Sequence, residues 1–185
     1  MDEAPNRRQA QACLCEGMGE DPCMLVPIVR FLRSAARLDA DAFAREHPDP
    51  VLVIEPFVGG GERTSFETLA PGPGGSSVGR SVAILRKREG ANAFGMMVTL
   101  GRATNNDVQI PNPQVSKFHA YVMFDAEGRA SLNDAGSTHG TFVAGRRLAP
   151  KTEKALLEDG VVVRLGPVKA TYYSPAAFFA YLTSQ

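Results

Sequence analysis

The 185-residue chain has no tryptophan, only three cysteines and no excess of either charge. Cys13, Cys15 and Cys23 all lie near the N-terminus, and an odd number confined to one end argues against a secreted disulfide framework. A zinc site would need a fourth ligand, and none lies near the three cysteines: the one candidate before the β-rich half is His47. We therefore expect unpaired thiols rather than a zinc site. The net charge of zero gives no overall attraction to nucleic acid or an anionic membrane.

Long hydrophobic runs are also missing. The run from Met24 to Val29 contains Pro27 and stops at Arg30. This and every other apolar run are well short of the roughly 20 residues that a membrane-spanning helix needs. The acidic residues Asp2 and Glu3 have the wrong charge for the start of a secretory signal. We therefore expect a cytoplasmic protein without a nucleic-acid or membrane partner.

Catalytic and cofactor motifs are scarce. The sequence has no P-loop, GxGxxG or acidic metal cluster, so we expect no cofactor and no metal. The segment from Gly75 to Gly79 fits the GxSxG pattern of hydrolases, with Ser77 as its serine. That pattern requires a strand before the serine and a helix after it, whereas Pro- and Gly-rich sequence precedes it here. A binding protein is expected rather than an enzyme.

The N-terminal part reads as a helical extension over residues 1–55. Apolar residues from Leu25 to Glu46 follow helical spacing, and Leu38-Asp39 divides the segment into two helices because Asp is a favoured N-cap. Val51 to Ile54 is a short β-prone run. Residues 56–80, punctuated by Gly and Pro, are expected to be a linker.

The amino-acid pattern changes at Ser81, where short runs rich in Val, Ile, Phe and Tyr begin to alternate with residues typical of turns. Many short strands with no helical segment between them predict an antiparallel β-sandwich over residues 81–175, followed by a short C-terminal helix within residues 176–185. The predicted strands are Val82–Leu85, Met97–Leu100, Asp107–Ile110, Ala120–Phe124, Ala130–Leu132, Thr141–Val143, Val161–Leu165 and Lys169–Tyr173.

Four short motifs follow one another in this β-rich half. They are Gly101-Arg102, Ser116-Lys117-Phe118-His119, Ser137-Thr138-His139-Gly140-Thr141, and Leu157-Glu158-Asp159-Gly160 with a later Leu165-Gly166. The series resembles the forkhead-associated (FHA) family, whose pattern is GR, SxxH, SxNGT, LxDG and a final LG. The resemblance covers about residues 81–173, half of the chain. It implies a mainly β, FHA-type sandwich that reads phosphothreonine on partner proteins.

The resemblance also implies roles for individual residues. Arg102 matches the arginine that grips the phosphate, and its planar fork suits two phosphate oxygens. Ser116 matches a hydroxyl donor to the phosphate, Lys117 is expected to add charge or a peptide contact, and Thr138 matches a loop position that contacts the phosphothreonine. Four further positions are expected to set loop geometry: Gly101, His119, Gly140 and Thr141.

Two positions depart from the pattern. His139 stands where the family has the asparagine that holds the peptide backbone, and Ala144 stands where an asparagine often precedes the following glycine. Loss of the hydrogen bond from the first of these asparagines to the peptide backbone costs about 0.5–1.5 kcal/mol. The phosphate contacts are expected from other residues and would survive the change. We expect a threonine-phosphorylated partner and, with it, a Ser/Thr kinase. The alternative is a phospho-independent interaction or assembly domain with a degenerate ligand site.

Charge differs between the two halves. Residues 1–78 carry a net charge of −5 and residues 79–185 a net charge of +5, which favours an acidic ligand for the second half. Thr64 and Thr68 lie just ahead of the β-rich half, a layout similar to that of some bacterial FHA proteins. The resemblance raises intramolecular docking of phosphorylated Thr64 or Thr68 as an alternative to ordinary linker hydroxyls.

Overall fold

A computed structural model describes residues 25–56 and 79–185, and within these ranges the chain forms twelve strands and three helices. The strands are β1 (Val26–Pro27), β2 (Val51–Ile54), β3 (Ser81–Ile84), β4 (Val98–Gly101), β5 (Val108–Gln109), β6 (Ala120–Phe124), β7 (Ala130–Asp134), β8 (Thr141–Val143), β9 (Arg146–Arg147), β10 (Lys154–Leu156), β11 (Val162–Leu165) and β12 (Val168–Tyr173). The helices are α1 (Ile28–Ala35), α2 (Ala40–Glu46) and α3 (Pro175–Thr183). The predicted mainly β class is confirmed.

The strands form two sheets that enclose the main core. One has seven strands in the order β1-β3-β2-β12-β11-β8-β9, and the other has five in the order β10-β7-β6-β4-β5. All neighbours are antiparallel except β4 and β5. Burial alternates along β11 and β12, so Val163 and Leu165 enter the core while Arg164 lies outside.

The sandwich begins earlier in the chain than predicted. The sequence pattern places Val51–Ile54 in the N-terminal extension, but as β2 it pairs with both β3 and β12 inside the seven-stranded sheet. Leu52 and Ile54 face the core between the sheets, whereas Val51 and Val53 face the helices. A four-residue run buried on both faces has no periodicity, and its partner β12 is more than a hundred residues away. Local sequence patterns therefore do not reveal its place.

The helices cover the outer face of the seven-stranded sheet near β2 and β3. Phe31 of α1, Phe43 of α2 and Phe178 of α3 are buried in one cluster with Val53 and Val82. The predicted division into two N-terminal helices is correct: the side chain of Asp39 accepts a hydrogen bond from the backbone of Ala42 at 2.8 Å and caps α2. The helical segments thus form a third layer on the sandwich.

Three strands were not predicted, namely β1, β9 and β10. They have two or three residues each, and β9 consists of two exposed arginines, so neither length nor hydrophobicity marks them. The described ranges exclude several features of the sequence analysis: residues 57–78 of the linker, the three cysteines, Thr64, Thr68 and Ser77 of the GxSxG pattern.

Candidate functional site

Three loops and one turn meet at one end of the sandwich, where β4 ends and β6 begins. The backbone N–H of Arg102 donates to the carbonyl of Ser116 at 2.9 Å, which joins the first loop to the second. The N–H of Thr138 donates to Ser116 Oγ at 3.1 Å, which joins the second to the third. The segments are residues 102–107, 111–119, 135–140 and 166–167. Residues predicted from separate motifs are therefore brought to one surface.

Arg102 follows the last residue of β4 and its side chain is exposed. Its Nε donates to the carbonyl of Val115 at 3.3 Å, which orients the guanidinium along the second loop. No carboxylate in the described part of the chain forms an ion pair with it. The remaining N–H groups of its fork are available to an anion from outside.

Two hydroxyl groups lie beside each other at the same surface. Ser116 Oγ is 3.5 Å from Thr138 Oγ1, and Ser116 is half-buried while Thr138 is exposed. Because Ser116 Oγ already accepts the Thr138 N–H, its own hydrogen is left to donate outward or to Thr138. The pair adds neutral donors to the positive charge of Arg102.

Gly101 allows the first two loops to approach closely. A Cβ at this position would lie 2.3 Å from the carbonyl oxygen of Lys117, far inside contact distance. The buried side chain of Asn106 holds the same carbonyl from the other side, with its Nδ2 donating to Lys117 O at 2.6 Å and to Ala103 O at 2.8 Å. The backbone of Lys117 is thus fixed while its side chain is exposed.

His119 is fully buried and connects the second loop to the third. The backbone N–H of Ser116 donates to its Nδ1 at 3.1 Å, so Nε2 carries the proton and donates to the carbonyl of Gly140 at 3.3 Å. Burial lowers the pKa of His119 below its ordinary value, even though the Gly140 hydrogen bond and the Asp134 charge act in the opposite direction. The neutral imidazole thus holds the second and third loops together through these two hydrogen bonds.

Asp134, which sequence reasoning missed, organises the third loop. Its buried carboxylate accepts hydrogen bonds from the N–H groups of Gly136 and Ser137 at 2.8 and 2.9 Å, and from the hydroxyls of Ser137 and Thr141 at 2.6 Å each. Burial alone would raise its pKa, but these four donors outweigh burial and hold the pKa below its ordinary value. An aspartate ahead of Ala-Gly-Ser is typical of a side-chain-stabilised turn, which was the available signal.

His139 lies at the edge of the third loop and is exposed. Its imidazole forms no hydrogen bond with another described residue. The following Gly140 adopts a φ of +78°, a left-handed conformation that favours glycine, and a Cβ there would lie 2.6 Å from Arg147 Nε. The backbone on either side of His139 is therefore fixed although its side chain is not.

The residues described for this chain contain neither a cluster of side chains able to hold a metal ion nor a helix long and apolar enough to cross a membrane. A cavity of about 220 Å³ is lined by Lys117, Phe94 and Phe118, and the two phenylalanine rings stack with their centroids 5.5 Å apart. A guanidinium without a carboxylate partner in the described ranges, near two hydroxyls on converging loops, is an arrangement that is chemically suited to an anion.

Comparison with known proteins agrees with the motif series. Residues 98–166 match the family model of the FHA domain. The chain therefore carries an FHA domain, as the motifs predicted.

Its relatives are much longer proteins. The chain is 37% identical over 75 residues to the ABC transporter ATP-binding/permease protein Rv1747 of Mycobacterium tuberculosis, covering 40% of this chain and 8% of that protein. It is 40% identical over 81 residues to the mouse angiogenic factor with G patch and FHA domains 1, covering 40% of this chain and 11% of that protein. Among solved structures, the FHA domain of the Chlamydia trachomatis protein CT664 is 17% identical, with a TM-score of 0.46 over 68% of this chain and 97% of that one. The match thus spans about a tenth of the curated relatives' length.

Proposed function

We propose that this chain is a phosphothreonine-dependent peptide-binding module that mediates protein–protein interaction downstream of a Ser/Thr kinase. The observation that carries the proposal is the Arg102 guanidinium, exposed and without a carboxylate partner in the described ranges, at the surface that presents the Ser116 and Thr138 hydroxyls. A phosphothreonine has about −1.5 to −2 charges and three acceptor oxygens, which these donors complement. Lys117 and His139 lie at the margins, where they would contact the peptide on either side of the phosphate.

The scaffold supports this role because it fixes the donors before a ligand arrives. His119 and Asp134 each fasten a loop through buried hydrogen bonds, and Gly101 allows the close approach of the first two loops. Pre-organised donors lose little conformational entropy on binding. A recognition site of this kind requires no cofactor, metal or catalytic group.

Titration of the full chain with a phosphothreonine peptide library and its unmodified counterpart tests the proposal. Binding that requires the phosphate supports it. Equal binding of phosphorylated and unmodified peptides would favour the alternative, a phospho-independent interaction or assembly domain whose ligand site has degenerated at His139.

Replacing His139 with asparagine should tighten phosphopeptide binding by up to about 1 kcal/mol, or roughly fivefold. The asparagine restores the amide of the FHA pattern, and the exposed imidazole has no hydrogen bond to a described residue that would be lost. Isothermal titration with the best library peptide measures the change, and His139→Ala serves as the control that should bind no tighter than the wild type. A sharp fall in affinity of the asparagine variant would mean that the imidazole itself recognises the ligand.

Phosphorylated Thr64 or Thr68 is a second candidate source of the ligand, although both residues lie outside the described ranges. Thirteen residues separate Thr68 from Ser81 and could span roughly 43–47 Å when extended, enough to cross a domain of this size. Phosphorylation at either position should then weaken binding of an external phosphopeptide, and the loss should require Arg102. Unchanged external affinity after complete phosphorylation, with the site mapped by mass spectrometry, would exclude intramolecular docking.

A further inference from the structure

Three cationic side chains form one row across the outer face of the seven-stranded sheet. The strand register places Arg147 opposite Phe142, Phe142 opposite Arg164, and Arg164 opposite Lys169. Directly paired residues of antiparallel strands point to the same face, and the three cations are exposed. Four neighbouring strands place the ends of the row roughly 14 Å apart. We call these three residues the cationic row.

The cationic row has no acidic partner among the described residues. The adjacent Arg146 is paired with Glu153. Glu55 lies beside Lys169, to whose carbonyl its backbone N–H donates at 2.9 Å, but its carboxylate is paired with Arg80. Arg164 and Lys169 carry like charges directly opposite each other, an arrangement that destabilises a sheet. The attraction of both cations to an anionic ligand would offset this repulsion.

The row continues directly into the candidate site. Arg164 Nη1 donates to the carbonyl of Gly166 at 2.9 Å, and the guanidinium of Arg147 lies against Gly140. Gly166 and Gly140 are themselves joined by a backbone hydrogen bond of 3.0 Å. A Cβ on Gly166 would lie 3.3 Å from the Cβ of His139, so both arginines border the backbone under His139.

We propose that the cationic row binds acidic residues that flank the phosphothreonine of the ligand, an inference that rests on the function proposed above. An extended peptide rises about 3.3 Å per residue, so the row matches carboxylates spread over about four residues. The chemistry favours a peptide over nucleic acid. The Arg164 guanidinium covers one face of the Phe142 ring, 3.7 Å from its centroid, so that face is not free to stack on a base.

Four peptides test the inference for each flank of the phosphothreonine: a phosphothreonine peptide with glutamates on that flank, its glutamine-substituted match, and the unmodified form of each. The two possible flanks are tried separately. The wild type should bind the glutamate-flanked phosphopeptide roughly three- to tenfold more tightly than its glutamine match at low salt, the range for a few exposed ion pairs. The double variant Arg147→Gln/Lys169→Gln should lose that preference. Arg164 is retained because it supports Gly166 and Phe142.

Arg129→Gln/Lys154→Gln is the matched control, since it also removes one exposed arginine and one exposed lysine, here next to β7 and on β10 of the other sheet. It should keep the preference for glutamate. If the double variant keeps that preference, or the wild type shows none on either flank, while phosphorylated peptides are still preferred over unmodified ones, the inference is wrong and the proposed function stands. If no peptide is bound in a phosphate-dependent way, the proposed function fails as well. Displacement of the glutamate-flanked peptide by a short oligonucleotide from the wild type, but not from the double variant, would assign the row to nucleic acid and overturn the inference.

Discussion

Replacing Arg102 with alanine should abolish the preference for phosphorylated over unmodified threonine peptide while leaving the protein folded. The side chain is exposed, and its one hydrogen bond to a described residue goes to the carbonyl of Val115, so little stability depends on it. Loss of a charge-assisted contact to a phosphate that becomes desolvated on binding costs about 2–5 kcal/mol, or roughly thirty- to several-thousand-fold in affinity. Titration of matched peptides measures the change, and thermal unfolding checks the fold.

Two further variants sharpen this test. Arg102→Lys retains the charge but loses the planar fork, so its affinity should lie between those of the wild type and the alanine variant. Arg129→Ala removes an exposed arginine at the other end of β6, where it pairs with Asp125, and should bind phosphopeptide like the wild type. Full phospho-preference in the Arg102→Ala variant would remove Arg102 from the site.

Replacing Asp134 with alanine should destabilise the protein by about 3–5 kcal/mol and weaken ligand binding. The change removes the acceptor of the buried N–H of Ser137 and of the hydroxyls of Ser137 and Thr141, and also that of the N–H of the exposed Gly136. Each unsatisfied buried donor costs about 1–3 kcal/mol, and the hydroxyls recover part of this by rotating. Denaturant unfolding measures the loss, which corresponds to a fall in Tm of roughly 10 °C.

Asp125 provides a matched control in the turn between β6 and β7. It also accepts hydrogen bonds from its own turn, but its carboxylate is exposed to water, so Asp125→Ala should cost far less than Asp134→Ala. Equal losses in the two variants would show that the buried network around Asp134 does not hold the loop.

The lowered pKa of Asp134 also predicts a pH dependence. The folded protein binds a proton at this carboxyl less readily than the unfolded chain does. The carboxylate therefore stabilises the fold at pH values above 3.8, the ordinary pKa of the group. That contribution is lost as the pH falls through the lower pKa of the folded state. Asp134→Asn keeps one acceptor oxygen but cannot titrate, so its unfolding free energy should fall less steeply between pH 5 and 2. Parallel curves for the two proteins would contradict this.

Much of the scaffold followed from local pattern. Short apolar runs such as Ala120–Phe124, separated by turn residues, predicted strands because strand propensity and turn formation act over a few positions. The cap at Asp39 divided the helical segment for the same reason. The candidate site residues came from the spacing of the motifs and the family they resemble.

Local pattern could not predict three features: the position of the Val51–Ile54 strand, the loop-forming role of Asp134 and the cationic row. Val51–Ile54 lies in the middle of a sheet because β12, far along the chain, pairs with it. Asp134 matters because the fold buries its carboxylate among four donors, and burial is a property of the packed molecule. The net charge of +5 over residues 79–185 was visible in the sequence, yet strand register alone decides that Arg147, Arg164 and Lys169 share one face. Composition and local spacing specify which elements form, whereas pairing between distant strands specifies which side chains meet.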